Sequence, residues 1–163
     1  MDSSFTKNSL TEEFQLNEIA TQERILVFNC IGGNMTNIRV LIVDDEEVFA
    51  KNWVKLLARR GYDATYVASG ADAIAAIDKS IFDVILLDLR MPGLNGIPTC
   101  KEIIKRDPNT RIILMSAHAD MDDALTAIRL GAWGYLRKPF ELDEIIDQIE
   151  GACFPKQPIM QSR

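Results

Sequence analysis

The chain has 163 residues, with 18 Lys and Arg against 24 Asp and Glu, for a formal net charge of −6. Hydrophobic residues make up 47% and charged residues 26%, which fits one folded globular domain and excludes collagen, coiled coil and a wholly disordered chain. The acidic balance argues against binding a nucleic-acid backbone, which needs a basic face.

Three cysteines, Cys30, Cys100 and Cys153, lie far apart with no CxxC, and His118 is the one histidine. Neither a disulfide framework nor a zinc site is expected. No apolar run approaches the ~20 residues that a membrane helix needs. The N-terminus lacks the apolar core of a signal peptide. The expected compartment is the cytoplasm, with thiols reduced.

Residues 1–37 hold Lys7 and Arg24 against Asp2, Glu12, Glu13, Glu18 and Glu23. Ser9 and Glu12 have capping-box spacing for a helix over about 10–22, and a Gly32-Gly33-Asn34 linker follows. This stretch is taken as an N-terminal extension, partly helical or disordered. Met35 offers an alternative start, on which residues 1–34 are an upstream extension.

A regular alternation then begins. Ile38–Val43 is a nearly continuous apolar run, the pattern of a strand buried on both faces. Val48, Phe49, Asn52, Trp53, Leu56 and Leu57 recur at helical spacing, and Gly61 stops the helix. Asp63–Ala68 is a more polar strand, placed at the sheet edge. Ser69 caps a short helix holding Ala73, Ile74 and Ile77.

Phe82–Leu87 is the third strand. After a Met91-Pro92-Gly93 turn, a helix places Ile97, Cys100, Ile103 and Ile104 inward, with Pro98 in its first turn. Arg111–Met115 is the fourth strand. Asp120–Leu130 is a helix with Ala124, Leu125 and Ile128 inward. Gly134–Arg137 is a fifth strand, and Glu141–Ile149 a last helix with Leu142, Ile145, Ile146 and Ile149 on one stripe. Trp53 and the apolar helix positions are read as core. Residues 151–163, with Pro155 and Pro158, look like a frayed tail.

Five strands alternating with helices over 38–150 predict an α/β domain with a parallel sheet covered on both faces. The expected strand order is 2-1-3-4-5, doubly wound and flavodoxin-like. Such sheets bind ligands outside the carboxyl ends of their strands. Asp44-Asp45-Glu46 ends the first strand, Asp88 the third and Ser116 the fourth. Lys138-Pro139-Phe140 follows the fifth. A parallel sheet brings all four sets to one edge.

Clustered carboxylates repel, so one pKa must rise unless positive charge intervenes. Lys138 supplies one charge, and Mg²⁺, a hard cation that takes carboxylates, waters and phosphate oxygens, suits the remaining deficit. Asp88 is the natural nucleophile, because a carboxylate attacking phosphorus gives an aspartyl phosphate. The Ser116 hydroxyl can donate to the new phosphoryl oxygens. The added charge would draw Ser116 and Lys138 inward.

Taken singly, these residues are bland. Asp44-Asp45 can be an acidic first turn, Ser116 a turn residue, Lys138 a solvated lysine and His118 a loop histidine. Their joint occurrence at successive strand ends is what argues for a site.

The segments VLIVDDEE (40–47), VILLDLRMPGLNG (84–96), ILMSAHAD (113–120) and GAWGYLRKPF (131–140) resemble the receiver domain of bacterial two-component response regulators, of the stand-alone chemotaxis-regulator-like type. The resemblance implies Asp88 as phosphoacceptor from a sensor histidine kinase or phosphotransfer protein. It implies Mg²⁺ held by Asp45, Asp88 and the Arg90 backbone carbonyl, with Asp44 acting largely through water. Ser116 and Tyr135 are then switch residues and Lys138 the phosphate clamp. Arg90 and His118 occupy the positions that tune dephosphorylation, and their bulk implies a longer-lived phosphoryl state. Such a protein is no enzyme beyond autocatalytic phosphoryl transfer and autodephosphorylation. With only 151–163 after the last helix, no output domain is expected. Output is expected through the face of the fourth helix, fifth strand and fifth helix, onto an effector protein or in a phosphorylation-dependent homodimer, with no nucleic acid or membrane as partner.

Three alternatives fit less well. A haloacid-dehalogenase-like phosphatase has an acid two residues after its nucleophile, where this chain has Arg90, which cannot protonate a leaving group. A flavodoxin-like electron carrier needs a hydroxyl- and Gly-rich loop after the first strand, where DDEE stands. A receiver-like domain that has lost phosphorylation would lack an acid or the lysine, and none is missing.

Overall fold

The computed structural model describes residues 38–91, 96–117, 125–126 and 128–154. In chain order the elements are β1 (Arg39–Val43), α1 (Glu47–Arg59), β2 (Asp63–Val67), α2 (Gly70–Ile77), β3 (Val84–Asp88), α3 (Gly96–Arg106), β4 (Arg111–Ser116), β5 (Gly134–Arg137) and α4 (Leu142–Cys153). The strands form one sheet in the order β2-β1-β3-β4-β5, with every pair parallel. This is the doubly wound arrangement expected from the alternation.

The central strands are apolar on both faces because helices cover both. Every residue of β3 is buried, as are Val40–Val43 of β1. Among the described residues, edge strand β2 pairs only with β1, and it is more exposed, in keeping with its polar sequence. One packed cluster joins Leu41, Val43, Ile85, Leu87, Ile112 and Leu114 to Cys100 and Ile103 of α3. This core fixes the strand ends that carry the polar residues.

The helix boundaries follow local chemistry. Gly61, at φ 91°, accommodates the left-handed turn that ends α1. Ser69 accepts the Asp72 N–H and caps α2. Glu141 and Glu144 form a reciprocal capping box that starts α4.

Three core expectations are corrected. Val48 is 77% exposed. At 3.6 residues per turn it lies roughly opposite the buried Ala50 and Leu57 on α1. Trp53 is half-buried and packs at the rim. Of the helix expected over 120–130, the described residues 125, 126, 128 and 129 are helical. There Leu125 and Ile128 face solvent, 47% and 56% exposed, where an inward stripe was expected. Residues 124, 125, 127 and 128 are apolar at the spacing of a core-facing stripe, so the sequence pattern gives no sign of this exposure.

The expectations for 1–37, the Met91-Pro92-Gly93 turn beyond Met91, His118 and 155–163 lie outside the described residues. Among the described residues, no helix is long and apolar enough to cross a membrane.

Candidate functional site

Because all five strands run parallel, their carboxyl ends share one edge, and four of the predicted residue sets meet there. Asp44 follows β1. Its N–H donates to Val67 O (3.1 Å), which fixes its backbone against the end of β2. Its side chain is fully buried; Oδ1 accepts the Glu46 N–H (2.9 Å) and Oδ2 accepts from Lys138 Nζ (2.6 Å). Asp88 is the last residue of β3 and is also buried. Its Oδ1 accepts the Arg90 N–H (3.0 Å) and its Oδ2 accepts from Lys138 Nζ (3.1 Å).

Lys138 reaches both acids from beyond β5. Its backbone N–H donates to Ser116 O (2.8 Å), which ties the turn after β5 to the end of β4. The Lys138–Pro139 peptide is cis. The ammonium also lies 3.9 Å from Glu46 and over the Phe49 ring, 4.3 Å from its centroid.

Asp45 is exposed. One carboxylate oxygen from each of Asp44, Asp45 and Asp88 lies within 4.8 Å of the others. All three donors are hard oxygens, the set that Mg²⁺ favours over softer metals. Two buried carboxylates therefore share one ammonium, with a third acid at the mouth.

The charge states follow from this crowding. Burial pushes the Asp44 carboxyl above its ordinary range, and the like charge of Asp88 adds to it; Lys138 and the Glu46 amide offset part. Burial alone would lower the Lys138 ammonium, but its hydrogen bond to Asp44 and the charges of Asp88 and Asp44 outweigh that and raise it. Lys138 stays protonated near neutrality.

Behind Asp88, Gly96 opens α3 and its N–H donates to Leu89 O (3.1 Å). A Cβ here would meet Asp88 O at 2.5 Å and Leu89 Cα at 2.6 Å. Only glycine lets the helix start this close to the strand that carries Asp88.

Residues 40–150 match the response regulator receiver domain family. The chain belongs to that family.

The receiver is similar to the DNA-binding transcriptional regulator NtrC of Escherichia coli, at 38% identity over 76% of this chain and 26% of NtrC. It is also similar to the transcriptional regulatory protein TcrA of Mycobacterium tuberculosis, at 28% identity over 80% of this chain and 53% of TcrA. The chain thus spans about a quarter of NtrC and about half of TcrA. Among solved structures, the receiver domain of Francisella response regulator 1452 superposes with a TM-score of 0.67 at 32% identity, covering 72% of this chain and 97% of that one. A CheY-like receiver protein of Methanospirillum hungatei, at TM-score 0.70 and 23% identity, shares the fold over 72% of this chain and 94% of its own. Receiver domains bind Mg²⁺ at an acidic pocket, and this receiver has such an acidic cluster.

The predicted residues fall in two groups. Asp44, Asp45, Asp88 and Lys138 converge. Ser116 is buried at the end of β4, and Tyr135 lies in β5, partly buried against the core cluster. Arg90 sits two residues past Asp88 with its amide on that carboxylate. Sequence reasoning missed Phe49. Nothing in the spacing of 49 and 138 links them, and Phe49 reads as one more apolar helix position.

Proposed function

We propose that Asp88 accepts a phosphoryl group from a phosphohistidine of a sensor histidine kinase or phosphotransfer protein. The Asp88 carboxylate oxygen forms the new bond to phosphorus. The phosphorus–nitrogen bond breaks, and its electron pair and a proton leave with the imidazole. Phosphoryl transfer needs positioning and charge neutralisation above all. The observation that carries the reading is the ammonium of Lys138, held within hydrogen-bond reach of both Asp44 and Asp88.

Mg²⁺, when bound, would neutralise phosphoryl oxygens and screen the acids from the incoming phosphate. Asp45, Asp88 and the Arg90 carbonyl are the residues we assign to it, with Asp44 acting through water. Lys138 then clamps the phosphoryl group, Ser116 donates to it, and Tyr135 follows inward as the aromatic switch. Arg90 and His118 obstruct the attacking water and lengthen the phosphoryl lifetime. The link from Ser116 O to the Lys138 N–H supports a coupled movement of the β4 and β5 ends.

Residues 38–150 form the phosphoacceptor unit, with 1–37 an extension and 151–163 a tail. Output leaves through the face of the helical residues 125, 126, 128 and 129, β5 and α4, onto an effector or a second copy. The setting is the cytoplasm. Incubation with acetyl phosphate and Mg²⁺ tests the reading by mass spectrometry. Native protein gains one phosphoryl group and Asp88→Asn gains none; labelling of Asp88→Asn overturns the assignment. Lys138→Ala keeps part of the labelling but loses the phosphorylation-dependent change in partner binding, and full switching by that variant counts against the clamp.

A further inference from the structure

The acids account for one side of the Lys138 ammonium. The other side is an aromatic surface. Nζ lies over the Phe49 ring at 4.3 Å from the centroid. Phe49 is held in turn by two rings: Trp53, four residues on along α1, at 5.9 Å and 68°, and Phe140, two residues after Lys138, at 5.9 Å and 67°. Trp53 and Phe140 close the triangle at 5.3 Å.

We propose that Phe49 is a positioning residue for Lys138, its ring face being the seat from which the ammonium addresses the phosphoacceptor. The inference rests on Asp88 being that acceptor. An ammonium is strongly hydrated and sits on a flexible four-carbon stem. The Lys138 side chain is nevertheless only 11% exposed. The ring keeps water off the face that the carboxylates leave open, and its negative quadrupole attracts the cation.

The seat suits a clamp that has to move. A hydrogen-bond acceptor in place of the ring would pin one N–H direction. A ring face imposes none, so Nζ can shift from Asp88 Oδ2 to a phosphoryl oxygen without leaving its support. The triangle also joins the two segments that carry opposite charge. Phe49 and Trp53 belong to the helix that begins just after Asp45, and Phe140 belongs to the turn that carries Lys138. Edge-to-face and tilted contacts between them set the distance across the site before any ligand arrives.

The test uses the full chain. With ¹³C-labelled lysine, and with neither Mg²⁺ nor phosphodonor present, the ε-methylene protons of Lys138 resonate upfield of the other lysines because of the ring current. They keep that displacement in Phe49→Tyr. A Lys138 signal among those of the other lysines in native protein overturns the proposal without any variant. In Phe49→Leu, acetyl phosphate labelling at saturating Mg²⁺ slows roughly fivefold, the rate equivalent of about 1 kcal/mol of cation–π attraction. Mg²⁺ affinity by calorimetry stays at the native value, and Phe49→Tyr restores the rate. A native rate in Phe49→Leu, or a rate and an Mg²⁺ affinity that fall together, overturns the positioning role. If native protein is not labelled at all, the phosphoacceptor assignment fails; the ring-current result reports on the seat separately.

Discussion

Asp88→Asn is expected to make the protein more stable while destroying its chemistry. Asp88 is 5% exposed and lies with Asp44 in a cluster whose carboxylate oxygens are within 4.8 Å of one another. At an effective dielectric of about 20, two unit charges at that separation repel by about 3.5 kcal/mol, and the exposed Asp45 adds a smaller, screened amount. Against this, Lys138 at 3.1 Å attracts Asp88 by about 5 kcal/mol on the same scale. The pairwise terms nearly cancel. The cost of holding a carboxylate away from water, several kcal/mol, then decides the sign. Removing one member of a buried ion pair is usually harmful because it strands the other charge. Here Lys138 keeps Asp44 at 2.6 Å. The net gain is about 1–3 kcal/mol, and each kcal/mol moves the thermal midpoint of a domain this size by roughly 3–6 °C. Calorimetry of native and Asp88→Asn protein, with and without millimolar Mg²⁺, measures it. Mg²⁺ raises the native midpoint and raises that of Asp88→Asn less. A lower midpoint for Asp88→Asn in the absence of Mg²⁺ would refute the charge-crowding argument. The pH dependence has a definite sign. Asp44 has a folded pKa above its ordinary 3.8, so its contribution is fully present below that value and is lost as pH rises through the folded pKa. Asp88 is one cause of that rise, so the advantage of Asp88→Asn grows from acid towards neutral pH.

Gly96→Ala puts a methyl group against Asp88 O and Leu89 Cα; backbone cannot swing aside, so urea unfolding shows a loss of about 1–3 kcal/mol, and labelling of Asp88 slows. An unchanged urea midpoint contradicts the close approach. Ser69→Ala removes the acceptor of the Asp72 N–H and costs about 1 kcal/mol in the same assay, with labelling rates unaffected because β1 stands between β2 and the β3 strand that carries Asp88. Burial pushes the Cys100 thiol up to about 11, so a maleimide at about pH 8 leaves the Cys100 peptide unmodified until the protein is unfolded. Modification of folded protein at that position sinks the buried-thiol reading.

The sheet was legible because its information is local. Ile38–Val43 and Phe82–Leu87 are short apolar runs bounded by polar residues, and burial on both faces is what such runs mean. Gly61 and Ser69 marked their helix ends for reasons contained in one or two side chains. The acids and the lysine were legible too, since a parallel sheet delivers every strand's carboxyl end to one edge whatever the loops do. Side-chain facing was less legible. Val48 misled because it adjoins the apolar pair Phe49-Ala50 at the margin of the helix stripe, and Leu125 and Ile128 because their i, i+3 spacing is that of an inward face. The Phe49–Phe140 contact was illegible for a different reason. It joins residues far apart in the chain, and its meaning lies in what the ring faces rather than in its hydrophobicity.

The placement of the acids explains why the core has to be so apolar. Asp44 and Asp88 would separate if their backbones could move. They are held by β1 and β3, paired in register from Val40–Val84 to Val43–Leu87, and those strands are buried on both faces. Hydrophobic burial thus stabilises an arrangement that its own charges oppose, and the opposition concentrates at the strand ends. A cation or a phosphoryl group arriving there changes a balance of several kcal/mol within a few ångström. The Lys138 N–H on Ser116 O ties the turn that carries the ammonium to the end of β4, and so links that change to β4 and β5. The central strands are too tightly packed to yield, so movement is expected where packing is thinner, at the exposed helical residues 125, 126, 128 and 129 and the half-buried Tyr135 of β5. Under the proposed switch, a rigid centre with a yielding edge would turn a local change of charge into a change of surface.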